Sequence, residues 1–186
     1  MPRVDALRSR DAILRAARAV PPDELRLNDI AREAGVGVAT VYRHFPTVNA
    51  LVEALALDSV EQLRALACRA QQEPDPDAAL HRFLTTALER RLVHEGVQRV
   101  LTTPDGELDA AREAKCAFVS SLAVVLARAQ REGAVRPDVG VDQLQRMLCG
   151  IEHAVRLGDP DDRPVLIDVF LAGLRAPRPS LPSPTS

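Results

Sequence analysis

The chain has 186 residues, of which 46% are hydrophobic but only 3% aromatic; it contains no Trp and carries a formal net charge of −2. That length suits one or two small domains with a real core. A core made from Ala, Leu and Val favours helices over a β-sandwich, and the near-neutral charge excludes indiscriminate binding to nucleic acid.

The charge is nevertheless uneven. Residues 1–50 hold eight Arg against six acidic residues, a balance of +2, while the remainder holds 16 basic and 20 acidic residues, a balance of −4. The N-terminal end is therefore the one suited to a polyanion. Cys68, Cys116 and Cys149 are odd in number and widely spaced, as expected of reduced thiols in a cytoplasmic protein. Arg8, Arg10, Asp11, Arg15 and Arg18 interrupt any apolar N-terminal run, so no signal peptide is expected. The longest uncharged stretch, Cys116–Ala127, has 12 residues, too few to span a bilayer.

The periodicity predicts nine helices and no strands, an all-α chain. The first helix runs over about 5–20, with Leu7, Ile13, Leu14 and Ala17 inward, and Pro21-Pro22 ends it. Residues 27–45 follow, two short helical patterns joined by Gly35-Val36-Gly37. A helix pair with so tight a turn is the form that places its second helix in a DNA major groove. Leu27, Ile30, Ala31 and Ala34 fall on one face of the first. Gly35 stands where a helix end needs positive φ. Val41 and Phe45 face back toward Ile30 and Val36. That turns Val38, Ala39, Thr40, Tyr42, Arg43 and His44 to the open side, a run suited to phosphates and base edges.

A long helix over about 47–72 is expected next, broken by Glu73-Pro74-Asp75-Pro76-Asp77, the expected domain boundary. Helices over about 77–94 and 96–102 precede a break at Pro104-Asp105-Gly106. A further long helix ends at Gly133, and two more cover about 140–157 and 162–175. The Pro/Ser-rich residues 177–186 read as a disordered tail.

The first 55 residues resemble the tetracycline-repressor (TetR-type) family of bacterial transcription regulators. The likeness rests on Ile13-Leu14-Arg15-Ala16-Ala17, on Asp29 to Val36, on Thr40-Val41-Tyr42-Arg43-His44-Phe45, and on Leu51. Gly133-Ala134-Val135-Arg136-Pro137-Asp138 also looks like the loop before helix eight in many such proteins. The resemblance implies a helix-turn-helix domain at 1–46, a connecting helix at 47–75 and a ligand-binding and dimerisation domain at 76–176. It implies a homodimer that represses transcription until a small molecule releases it from a double-stranded, palindromic operator. By this likeness Thr40, Tyr42 and His44 contact phosphates, Val38, Ala39 and Arg43 face base edges, and Asn28 also reaches DNA. The same likeness makes Arg3, Arg8 and Arg10 a basic arm or phosphate clamp.

Three positions depart from the family pattern. Val48 stands where a Lys is usual, so the phosphate contact of the fourth helix loses its cation. Arg26 replaces the usual Thr or Ser cap of the second helix and is a candidate phosphate contact itself. Pro21-Pro22-Asp23-Glu24 replaces an aromatic and a Gly. Val48 and the mild positive bias support an alternative, a helical small-molecule-binding or interaction module without tight DNA binding.

The same resemblance places an effector pocket among helices five to eight, with Phe83, Ala87, Arg91, Leu101, Phe118, Ser121, Leu122, Met147 and Ile151 as candidate contacts. Arg99, Thr102, Lys115, His94 and His153 are further polar groups there. The apolar majority points to a lipophilic or amphipathic effector. Helices 140–157 and 162–175 are the expected dimer interface. Gly150 and Gly173 fall within them, and either close helix approach or simple tolerance accounts for them. His81, His94, Cys116 and His153 show no metal-ligand spacing, so neither metal nor cofactor is expected. No phosphate loop or nucleophile elbow marks an enzyme.

Overall fold

The computed structural model describes residues 2–93, 95–103 and 106–176. His94, Pro104-Asp105 and the 177–186 tail lie outside them, as does the side chain of Arg3. The described residues form nine α-helices: α1 (Pro2–Ala17), α2 (Leu27–Glu33), α3 (Val38–His44), α4 (Val48–Ala70), α5 (Pro76–Val93), α6 (Glu95–Thr102), α7 (Asp109–Arg131), α8 (Val141–Leu157) and α9 (Arg163–Leu174). A single 3-10 turn, Pro160–Asp162, leads into α9. Packing divides the chain into two units, one holding residues up to Leu63 with Arg90–Phe118, the other Arg64–Glu89 with Val119 onward.

In the first unit a core of Ile13, Leu14, Ala17, Leu25, Leu27, Ile30, Ala31, Val41, Phe45 and Leu51 joins α1 through α4. Leu7, expected inward, is 61% exposed. The reason is length: α2 and α3 have seven residues each, about 10 Å of helix. They cover only the last turns of α1, from Ile13 on. α2 ends in a Schellman motif, with Val36 N donating to Ala31 O at 3.0 Å and Gly35 N to Arg32 O at 3.2 Å. Gly35 takes φ 67° there, the left-handed conformation in which a Cβ is strained.

The second unit buries Leu80, Phe83, Leu84, Ala87 and Leu88 of α5, Leu122, Val125, Leu126 and Ala129 of α7, and Leu144, Leu148, Ile167, Phe170 and Leu174 of α8 and α9. Gln71 Nε2 donates to Ser121 O at 3.0 Å, and Arg128 donates to the carbonyls of Gln71 and Pro74 at 3.0 Å each. These bonds fix the end of α4 to α7. α7 ends as α2 does: Ala134 N reaches Ala129 O at 3.0 Å, with Gly133 at φ 73°. The loop that follows is closed by Gln130 Nε2, which donates to Arg136 O and Val139 O at 3.0 and 2.8 Å. Arg136 binds Asp138 through two contacts of 2.6 and 2.7 Å. That pairing holds the Asp138 carboxyl below its ordinary range and raises the Arg136 guanidinium.

Candidate DNA-binding site

The face that α3 presents follows from what it buries. Val41 is fully buried and Phe45 is 1% exposed, so these two side chains seat the helix on α1 and α2. The rest of the helix turns outward: Val38 is 45% and Tyr42 47% exposed. Ala39 and Arg43 are exposed as well, and Thr40 and His44 are half-buried. Neither α2 nor α3 has a side-chain cap. Their first N–H groups are therefore left to solvent or to an incoming acceptor.

The arginines of this region sort into three groups. Arg8, Arg18 and Arg32 lie against Asp5, Asp58 and Asp29 at 3.9, 3.4 and 3.0 Å. Arg26 folds back on its own loop, donating to Asp23 O at 3.1 Å and to Leu25 O at 2.9 Å. Arg10, Arg15 and Arg43 have no carboxylate partner among the described residues. A guanidinium already matched by a carboxylate must surrender it to take a phosphate; Arg10, Arg15 and Arg43 need not. Arg10 is held in place by another force, its guanidinium carbon lying 5.6 Å from the centre of the Phe45 ring, within cation–π range.

The imidazole of His44 shares this end of α3, its ring centre 6.2 Å from that of Phe45. Its Nε2 is buried and has no hydrogen-bond partner among the described residues, so a phosphate reaches that atom only if the ring turns. Burial, then the neighbouring Arg43 and Arg10, hold its pKa below the usual 6.5, leaving it neutral at pH 7. Asn28 is exposed and makes no hydrogen bond among the described residues, so its amide stays available.

Sequence reasoning named Arg10 only as one of three arm residues; its seat on Phe45 was not visible. It missed Glu53 altogether. That residue is 1% exposed, and its carboxylate accepts the backbone N–H of Glu107 at 3.0 Å and of Leu108 at 2.8 Å. The available signal was a lone acid in the otherwise apolar run Ala50 to Leu57.

Comparison with known proteins agrees with this helix pair. Residues 10–55 match the family model for bacterial regulatory proteins of the tetR family, and residues 75–176 match the model for the C-terminal domain of SbtR-like transcriptional regulators. A TetR transcription regulatory protein of Mycobacterium vanbaalenii is similar at 34% identity, with 95% of this chain and 100% of that one covered and a TM-score of 0.52. The chain belongs to the TetR family of transcription regulators.

A second TetR regulator of known structure, from Streptomyces coelicolor, is 31% identical over 90% of this chain and 98% of that one, with a TM-score of 0.55. The HTH-type transcriptional repressor LfrR of Mycolicibacterium smegmatis is 41% identical over 85 residues. That match spans 44% of this chain and 45% of the repressor, less than half of either. TetR regulators bind DNA operators and small-molecule effectors, act as dimers, and are not enzymes.

Two surfaces away from α3 bear on those family properties. On α8 and α9, Met147, Leu157, Val165 and Val169 are exposed, by 36%, 76%, 63% and 66%. A Cβ placed on Gly150 or Gly173 would meet nothing within 4 Å among the described residues, so neither glycine serves a close approach there. Among the candidate effector contacts, Phe83, Ala87, Arg91, Leu101, Phe118 and Leu122 are buried, Ser121 and Ile151 are half-buried, and Met147 is exposed. Arg91, Leu101 and Phe118 belong to the first unit, and the others to the second. A cleft of about 850 Å3 lies in the first unit, lined by the end of α1, by α4 from Val52 to Gln62, and by Gly96 and Val97. None of the candidate contacts lines it. No helix among the described residues is long and apolar enough to cross a membrane.

Proposed function

We propose that this TetR-family regulator is a dimeric, ligand-responsive repressor, released from a palindromic operator by a small molecule. The observation that carries the reading is the outer face of α3, where exposed Val38, Ala39 and Tyr42 flank an exposed guanidinium, Arg43, with no carboxylate partner among the described residues. Val38 and Ala39 suit thymine methyls, and Arg43 suits the O6/N7 edge of a guanine. Thr40, Tyr42, His44, Arg26 and Asn28 are assigned to the phosphate backbone, which sets register and carries no sequence information. The helix-turn-helix domain is 1–46, the connecting helix 47–75, and the effector and dimer domain 76–176.

Dimerisation is assigned to α8 and α9. Met147, Gly150 and Leu157 repeat at helical spacing on one side of α8, as Val165, Val169 and Gly173 do on α9. Apolar side chains beside glycines with open space suit a second copy of the same pair, related by a two-fold axis. Two recognition helices would then enter major grooves about 34 Å apart. The effector is assigned to the second-unit candidates Phe83, Ala87, Ser121, Leu122, Met147 and Ile151. Three of these six side chains are buried and most are apolar, which suits a lipophilic or amphipathic molecule. Release then requires that the effector bind the non-operator state more tightly than the operator state. Work of this kind places the protein with the chromosome, in the cytoplasm.

A salt titration of binding to a duplex carrying the chain's own promoter region tests the reading. Specific binding that weakens steeply as salt rises supports it, because phosphate contacts release counterions. Flat, weak binding to any duplex overturns it in favour of a helical ligand-binding module without tight DNA binding. The internal pairing of Arg8, Arg18 and Arg32 is the observation on that module's side.

A further inference from the structure

Only three residues separate the first turn of α4 from the end of α3, so whatever holds that turn also bears on the recognition helix. Thr47 caps the turn, its Oγ1 accepting the backbone N–H of Ala50 at 2.9 Å. The same hydroxyl donates to Glu107 Oε2. Asn49 Nδ2 donates to the other oxygen, Glu107 Oε1, at 3.1 Å. Both side-chain donors that the turn offers are thus taken by one carboxylate, at a helix N-terminus whose unpaired N–H groups favour an anion.

Glu107 is itself pinned. The buried carboxylate of Glu53, one turn further along α4, accepts Glu107 N, Leu108 N and a second bond from Asn49 Nδ2 at 3.1 Å. Two glutamates therefore share one asparagine amide, and neither has an ion-pair partner among the described residues. Val48, the residue between the two donors, brings no cation to offset them.

We propose that Glu107 is a negative determinant of operator affinity: it occupies Thr47 and Asn49, the donors at the start of α4, and holds a negative charge where DNA phosphates approach the end of the recognition helix. Glu53 acts through Glu107 as a positioning residue. This inference rests on the DNA-binding reading above and deepens it. It also gives the Val48 departure a physical sense, since the turn is held by an internal anion instead of gripping an external one.

The test uses the full-length protein and a duplex enriched by the wild type from random-sequence DNA. Operator affinity is measured for wild type, Glu107→Gln, Glu107→Ala and Glu107→Asp from low to high salt, with thermal melting of each. Glu107→Gln and Glu107→Ala are expected to bind more tightly than wild type, by about threefold or more at low salt, with the gain fading as salt screens the lost charge. Glu107→Asp, which restores the charge, is expected to stay near wild type. A residue that only braces the fold would lower melting temperature and affinity together and would show no such salt dependence. Unchanged or weaker binding by both neutral variants at low salt overturns the assignment while leaving the DNA-binding reading intact. Absence of specific binding by the wild type itself removes both.

Discussion

The recognition helix and the α8–α9 pair both leave apolar side chains in solvent, in opposite chemical company. On α3, Val38 and Tyr42 stand beside Arg43, which has no carboxylate partner among the described residues, with Arg10 fixed nearby on the Phe45 ring. On α8 and α9, Met147, Leu157, Val165 and Val169 stand beside Gly150 and Gly173. Apolar surface interleaved with cations matches a duplex, which offers methyl groups within a cage of phosphates. Apolar surface interleaved with glycine matches another helix. On the proposed reading, the same measure, exposed hydrophobic area, marks two different partners, and the neighbouring residues decide which.

The comparison breaks most visibly at α8–α9. Replacing Val169 with Glu puts a charge into the proposed helix contact. A monomeric mass by light scattering is expected, with operator affinity down by about 100-fold or more, because two linked half-site contacts become one. A dimer that persists with full affinity would move the interface elsewhere. Next in size is Arg43→Ala, expected to cost about 1–3 kcal/mol of discrimination at a single base pair of each half-site. Tyr42→Phe should weaken binding evenly across sequences instead. Competition binding against singly substituted duplexes separates the two patterns.

Smaller effects sharpen the contrast between the units. Gly35 and Gly133 each close a helix in left-handed backbone with open space where a Cβ would go. Gly35→Ala and Gly133→Ala should each lower stability by about 1 kcal/mol from the backbone alone, read by chemical denaturation. The smallest expected effects are those of pH. His44 titrates below its usual 6.5 when folded, so the unfolded chain binds its proton first. Its contribution to stability is complete above that value and is lost as pH falls through the lower, folded pKa. Asp138 behaves alike in a more acidic window, complete above 3.8 and lost below it. Melting curves of His44→Gln should lose the first step and keep the second.

The helical framework was legible because its punctuation is chemical. Pro21-Pro22, Gly35, Pro74 and Pro76, and Gly133 end or separate helices for reasons of backbone geometry that no distant contact overrides. The outward face of α3 was legible for a similar reason, since Val41 and Phe45, four apart, determine which way the rest must point. What stayed hidden depends on pairs far apart in sequence. Nothing in the string shows that Glu53 meets residues 107 and 108, or that Arg10 settles on Phe45. A polar residue at helical spacing looks the same whether it faces water or a carboxylate from another helix. Leu7 misled in the opposite sense, being apolar at core spacing on a helix longer than its neighbours can cover.

Lys115, the chain's single lysine, donates its ammonium to Thr103 O at 2.6 Å. Every other cationic side chain that is permanently charged is a guanidinium, and guanidinium stays charged across any physiological pH and does not undergo the acylation that neutralises lysine. The grip on a phosphate backbone built this way is therefore closed to tuning by side-chain acetylation. Conversely, apart from the backbone's terminal amine, an amine-reactive dye has one address, Lys115, beside the turn where α6 gives way to α7.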